Sequence, residues 1–141
     1  MEFNIKADVT GHPLIEEGID EFDSTGFRGG NISGVRVKLA DMPTLENGVF
    51  HSVEIGGKYV LLNRQIYEKA LTTGFDPATT RELYDTLGHE FTHVVQERTI
   101  ANFRAAWSAA NKRFGGVGNN PFEVQAKSVG ARFRDYMWGP K

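Results

Sequence analysis

Residues Thr86 to Val95 read TLGHEFTHVV, and one spacing inside them constrains the whole chain: histidine, glutamate, two uncharged residues, histidine. On an α-helix four residues advance about 400°, so His89 and His93 project only ~40° apart. Two imidazoles on one face, one turn apart, can bind the same metal ion. Glu90 is rotated about 100° from His89, which puts its carboxylate beside such an ion rather than on it. There it can take a proton from water. The arrangement works only on a helix, and the surrounding residues supply one. Leu83, Leu87, Phe91, Val94 and Val95 recur at three- and four-residue spacing, and Asp76-Pro77 offers an N-cap followed by proline at the first helical position. The spacing predicts a helix from about Thr79 to Arg98. The competing reading is a His-Glu-His patch on a solvated helix face, which needs no metal.

A catalytic zinc needs a third protein ligand and one position left open for water. The chain has no cysteine, which excludes disulfides, thiolate ligands and thiol nucleophiles. Its two other histidines, His12 and His51, lie upstream. The downstream pattern HExxHxxGxxH is absent, because Gln96 and Thr99 stand at its glycine and third histidine positions. A Gly-Thr-x-x-Asp motif is missing too. A carboxylate further along remains, and Glu123 is preferred, with Asp135 and Glu97 left open. Glu123 follows His93 by 30 residues and sits in NNPFEVQA, at the start of the last predicted helix. Asn120 and Glu123 also fit a capping box, which would use the same glutamate without a metal.

The setting of Glu123, Asn-Pro-x-Glu-x-x-Ala, resembles the second helix of the glutamate zincins (gluzincins), in which a glutamate completes a zinc site. The order of Gly34-Val-Arg-Val-Lys38, a hairpin to Leu62, Asp76-Pro77 and then LGHEFTHVVQ resembles the small metallopeptidase domain of extracellular contractile injection systems, the DUF4157 type. The resemblance covers about residues 33–98, with 120–126 as an extension. It implies a minimal gluzincin-like fold and one Zn2+ per chain, held by His89, His93 and, as the third ligand, Glu123. It also implies Glu90 as general base, and association with a secretion or injection apparatus. One departure stands out. Gluzincins often carry an acidic residue four positions after the glutamate ligand, orienting a zinc histidine. Here that position is Lys127, with Asp85 or Asp135 as the replacements to consider.

The rest of the chain is expected to build the support. Strands are predicted at about 1–7, 34–39, 49–55 and 58–62, with Gly56-Gly57 turning the last two into an antiparallel hairpin. Residues 10–34 read as loop. Helices are predicted over 63–71, 100–114 and 120–138, with a glycine loop at 115–118. The expected fold class is a single α+β domain over 1–141: a loop-rich segment (1–33), strands plus motif helix (34–98) and C-terminal helices (99–141). A small, twisted, mainly antiparallel sheet packs on the motif helix. Lys58, Tyr59 and Val60 are candidates for an edge strand that binds extended substrate, against the alternative of a paired interior strand. Tyr136 and Arg134, then Arg132 and Tyr84, are candidates to stabilise a developing oxyanion. His51 reads as a structural histidine, and Trp107, Phe103, Phe114, Phe122, Phe133 and Trp138 as packing residues. Gly88 inside the motif helix suggests a close neighbour.

Net charge is -2, from 16 basic and 18 acidic residues. This gives no electrostatic case for nucleic acid or an anionic membrane as partner. No apolar run approaches the ~18 residues of a membrane span, and the N-terminus lacks an apolar signal core. The expected location is cytoplasmic, or exported without a cleaved signal. The expected function is a zinc-dependent endopeptidase acting on a peptide or protein. The alternatives are a catalytically inactive zincin-like module of a secretion or injection machine, and a zinc hydrolase of cell-wall peptides.

Overall fold

A computed structural model describes residues 4–25, 31–42 and 52–138. These residues form an α+β structure. In chain order it runs β1 (Asn4–Asp8), α1 (Pro13–Thr25), β2 (Arg36–Asp41), β3 (Val53–Ile55), β4 (Tyr59–Asn63), α2 (Arg64–Thr72), α3 (Pro77–Thr99), α4 (Phe103–Phe114), a 3-10 turn (Val117–Asn119) and α5 (Pro121–Trp138).

The motif helix α3 is the axis of this arrangement. Its start follows from local chemistry: the Asp76 side chain accepts from the Thr79 N–H at 2.8 Å, and Pro77 occupies the first turn. From Leu83 to Gln96 its buried residues run all around the helix rather than along one stripe. A helix of that kind is enclosed on several sides. α5 lies antiparallel along it: Gln96 meets Phe122 and Gln125, Gly88 meets Gly130 and Phe133, and Arg81 meets Asp135 and Trp138. The approach is close because two glycines face each other. A Cβ on Gly88 would lie 2.9 Å from Phe133 Cβ and 3.0 Å from Gly130 Cα, and one on Gly130 would lie 2.7 Å from the Asp85 carbonyl oxygen. This accounts for a mid-helix Gly88 that costs about 1 kcal/mol relative to alanine.

Residues 10–34 are not the loop their glycine and proline content suggests, since they contain α1. Pro13 opens that helix, where a missing N–H costs nothing, and His12 Nδ1 accepts from the Leu14 N–H at 3.2 Å. Ile15, Ile19 and Phe22 form its apolar stripe. Gly18 faces α3, where an added Cβ would lie 3.1 Å from the Tyr84 ring. Phe22 then meets Phe91 and Phe133 edge to face, with centroids 5.4 and 5.2 Å apart. Of the residues expected to pack, Phe103 and Phe133 are buried, whereas Phe114 and Trp138 are exposed.

The sheet order is β1-β2-β4-β3. β1 with β2 and β3 with β4 are antiparallel, but β2 with β4 is parallel, so the sheet is mixed. The expected hairpin is present in β3 and β4, and its turn uses Gly56 and Gly57 at φ 61° and 69°. Of the strand expected at 49–55, Val49, Phe50 and His51 lie outside the described residues, as do Met1 to Phe3 of the first. The expected edge strand is corrected. Tyr59 and Val60 pair with Arg36 and Val37 on one side and with Ile55 and Glu54 on the other. β4 is therefore interior, Lys58 precedes it in the turn, and β3 is the outer strand. Val37, Leu39, Val60 and Leu62 face the helices, while Leu61 packs with Ala40 and Met42 on the opposite side, joined by Val53 and Ile55. Strand alternation then puts Glu54, paired with Val60, on the helix side.

The glycine contact sets a first expectation. Gly130→Ala should lower unfolding stability by about 1–3 kcal/mol, because its methyl meets backbone that cannot rotate away. The midpoint of urea unfolding would show it, and an unchanged midpoint would mean that the two helices can separate freely.

Candidate metal centre

α3 holds His89 and His93 one turn apart with ring centroids 4.9 Å apart. α5 brings the third group. Glu123 Oε2 lies 2.8 Å from His93 Nε2, and Oε1 lies 3.2 Å from His89 Nε2. One ligand-type atom from each of the three residues falls within 4.8 Å of the others, so the group could hold a metal ion. The other two carboxylates considered as third ligand lie elsewhere. Asp135 is paired with Arg81 at 2.8 Å and Arg134 at 3.0 Å, near the far end of α5. Glu97 borders Gly57 in the hairpin turn. The capping box forms only by half: Asn120 Oδ1 accepts from the Phe122 N–H at 3.0 Å, while the Glu123 carboxylate turns to the histidines.

Two further residues fix the cluster. Trp107, on α4, donates its indole N–H to Glu123 Oε2 at 2.9 Å, and Asn120 Nδ2 donates to the Trp107 carbonyl at 3.0 Å. Gln96 Oε1 lies 2.7 Å from His93 Nδ1, and its amide nitrogen donates to Phe122 O at 3.2 Å and to Gln125 Oε1 at 3.0 Å. With the amide hydrogens given to α5, Oε1 accepts from Nδ1–H of His93, which leaves Nε2 facing Glu123, where it carries the second proton of the imidazolium in the metal-free fold and would bind a metal once that proton leaves. This is the usual way a ligating imidazole is oriented. Trp107, expected only to pack, is thus a hydrogen-bond donor to the cluster, and Gln96, which no motif marks, is the partner of His93. The available signal was the three-residue step from His93 to Gln96 along one helix face. Asp85, a candidate for the orienting role, is instead paired with Arg134 at 2.9 Å.

The proposed oxyanion donors do not reach the cluster. The Tyr136 hydroxyl donates to Glu21 at 2.7 Å, and Tyr84 donates to Leu14 O at 3.1 Å. Arg134 lines a different cleft with Arg81 and Asp85, and Arg132 is exposed. Tyr136 stands on a face of α5 turned from Glu123, whereas Arg134 points within about 20° of the Glu123 direction but about three turns further along, where Asp85 and Asp135 hold it.

Glu90 is only 6% exposed. Burial pushes its carboxyl up to about 7, with Glu123 and Glu54 adding to the rise and the two histidines opposing it. For His93 burial opposes the charge, but the hydrogen bond to Glu123 and the charge of Glu90 outweigh it and raise the imidazole to about 9. For Glu123 burial acts upward, and the hydrogen bonds from His89, His93 and Trp107 overcome it and hold the carboxyl well below the usual range. Glu54, also missed in the sequence, is raised by burial and accepts from the Gly57 N–H at 2.8 Å.

These shifts define a pH dependence. Between about pH 4.5 and 7 the metal-free fold keeps a proton on Glu90 that the unfolded chain loses, and between about 6.5 and 9 it keeps one on His93. In both windows the folded state binds more protons, so its stability falls as pH rises. Below pH 4.5 the sign reverses, because Glu123 stays ionised in the fold. A metal ion needs His93 neutral, so its affinity should rise over the same interval. Thermal melts should show a metal-free midpoint that declines from about pH 5 to 9 and a metal-induced gain larger at pH 8 than at pH 6. Trp107→Phe removes one donor from Glu123. It should weaken metal binding about 10- to 100-fold in a chelator competition while the far-UV circular dichroism stays unchanged. No family model matches the chain, and no curated protein and no solved structure matches it either.

Proposed function

We propose that the chain is a zinc-dependent metalloendopeptidase of minimal gluzincin type, as its resemblance to the metallopeptidase domain of contractile injection systems implies. The observation that carries this reading is one carboxylate, Glu123, seated between the Nε2 atoms of two histidines on one helix face, with Glu90 buried beside them. Two imidazoles and one carboxylate make three protein donors, the set that suits a zinc ion keeping a fourth position open. When bound, zinc supplies Lewis acidity, making hydroxide available near neutrality and polarising a carbonyl.

The side chains divide the remaining work. His89 and His93 bind through Nε2, and Glu123 binds through its carboxylate. Gln96 and Trp107 hold His93 and Glu123 in register. Glu90 accepts a proton from the attacking water at its carboxylate and delivers it to the leaving amine. With β4 interior, β3 is the strand beside α3 that can add an extended peptide to the sheet.

One observation favours a second reading, a zinc-binding module without turnover that serves a secretion or injection machine. None of Tyr136, Arg134 and Tyr84 reaches the cluster to stabilise an oxyanion. Metal content by mass spectrometry, run beside a peptide hydrolysis assay, separates the two. An endopeptidase carries about one zinc per chain, loses it in Glu123→Ala, and in Glu90→Gln keeps it while activity falls at least about 10²- to 10⁴-fold. Zinc bound by the wild type with no hydrolysis would leave the module reading. No zinc taken up by the wild type would sink both.

A further inference from the structure

The first turns of α5 direct more than Glu123 toward the cluster. Lys127 follows Glu123 by four residues, so it stands one turn along on the same face. It lines an open cleft of about 590 Å³ with His89, Glu123, Val117, Val124 and Ala131. The apolar part of the lining comes from the 3-10 turn and α5, with His89 contributed by α3, and both Val117 and Val124 are 51% exposed. Apolar side chains left in water together, beside a few polar groups, are the usual lining of a ligand pocket.

Lys127 differs from the two arginines that bridge α3 and α5. Arg81 and Arg134 are paired with Asp135 and Asp85. Lys127 is exposed and has no ion pair or side-chain hydrogen bond among the described residues. The carboxylate nearest to it along its own face, Glu123, is already engaged by His89, His93 and Trp107. The cleft thus joins the metal cluster to an apolar wall and an uncommitted positive charge.

We propose that this cleft is a specificity subsite for peptides that carry an apolar side chain and a neighbouring carboxylate next to the reacting bond. The inference rests on the peptidase reading. The apolar side chain lies against Val117, Val124 and Ala131, and the carboxylate meets Lys127 Nζ. That carboxylate belongs either to an aspartate or glutamate side chain or to a free C-terminus. The chemistry is the same, and the peptides chosen for the test tell the two sources apart. A single exposed pair contributes modestly, so the expected preference is roughly two- to fivefold, and it should shrink as salt is added.

The test uses the zinc-loaded Glu90→Gln protein, which binds without turning over, and fluorescent peptides read by anisotropy. Four peptides share one apolar residue: glutamate or glutamine beside it in an amidated peptide, and a free or amidated C-terminus beside it. The inference expects the charged member of at least one pair to bind roughly two- to fivefold tighter. It also expects Lys127→Glu to reverse that preference at unchanged zinc content, and Val124→Asp to weaken every peptide. In the wild type, Lys127→Glu should raise KM for the charged substrate and leave kcat in place. Equal binding of charged and neutral peptides, or a preference that survives Lys127→Glu, overturns the subsite. Binding that depends on Lys127 with no hydrolysis by the wild type overturns the peptidase reading and leaves the subsite standing. Failure of the zinc-loaded protein to bind any of the four peptides overturns the subsite whatever the hydrolysis assay shows.

Discussion

The near-contact of α3 with α5 at Gly88 and Gly130 is the constraint on which the site depends. Packed helices ordinarily lie 8–10 Å apart, a distance set by the side chains between them. Here two facing residues have none, and the Gly130 Cα stands where a Cβ on Gly88 would lie only 3.0 Å away. Gly88 is adjacent to His89, and Gly130 lies about two turns along α5 from Glu123. A glutamate side chain spans only a few ångströms, so the separation of the two axes decides whether Glu123 meets both imidazoles. Ion pairs further along, Arg134 with Asp85 and Arg81 with Asp135, fix the axial register of the same two helices.

Once the helices are close, polar groups of opposite demand must be satisfied away from bulk water. Buried Gln96 does this for His93 while donating to two acceptors on α5, and Trp107 does it for Glu123 from α4. A network with all its members satisfied holds one geometry, whereas a partly satisfied one is costly. The third side of the site is tied through Arg98, which donates to the carbonyls of Gly57, Asn31 and Ser33. That anchors the β3–β4 turn to the end of α3 and keeps the outer strand, with Glu54 on its inner face, alongside the motif helix.

The parts of the molecule legible in the sequence are those written in short-range chemistry. The Asp76-Pro77 cap, the three- and four-residue apolar spacing of α3, the Gly56-Gly57 hairpin and the start of α5 at Asn120-Pro121 each depend on residues a few positions apart. α1 was hidden because Pro13 and Gly18 read as loop residues until a neighbour is known. Pro13 is harmless at a helix start, and Gly18 makes room for Tyr84. The interior place of β4 was hidden because its partner β2 is more than 20 residues away and parallel to it. The same gap explains Tyr136 and Arg134: which face and which turn of α5 meet the cluster are set by the packing and register with α3, not by composition.

The sequence by itself determined that two imidazoles share a helix face with a glutamate beside them, since helix periodicity converts the spacing of His89, Glu90 and His93 directly into direction. It also narrowed the third group to three carboxylates. Only the tertiary structure brought Glu123, and not Asp135 or Glu97, against both histidines, added Gln96 and Trp107 to the cluster and left Lys127 beside it without an ion pair among the described residues. The physical reason is that a helix transmits orientation over one or two turns. Contact between helices 30 residues apart depends instead on the distance and register of their axes, which here rest on two glycines and the ion pairs beyond them.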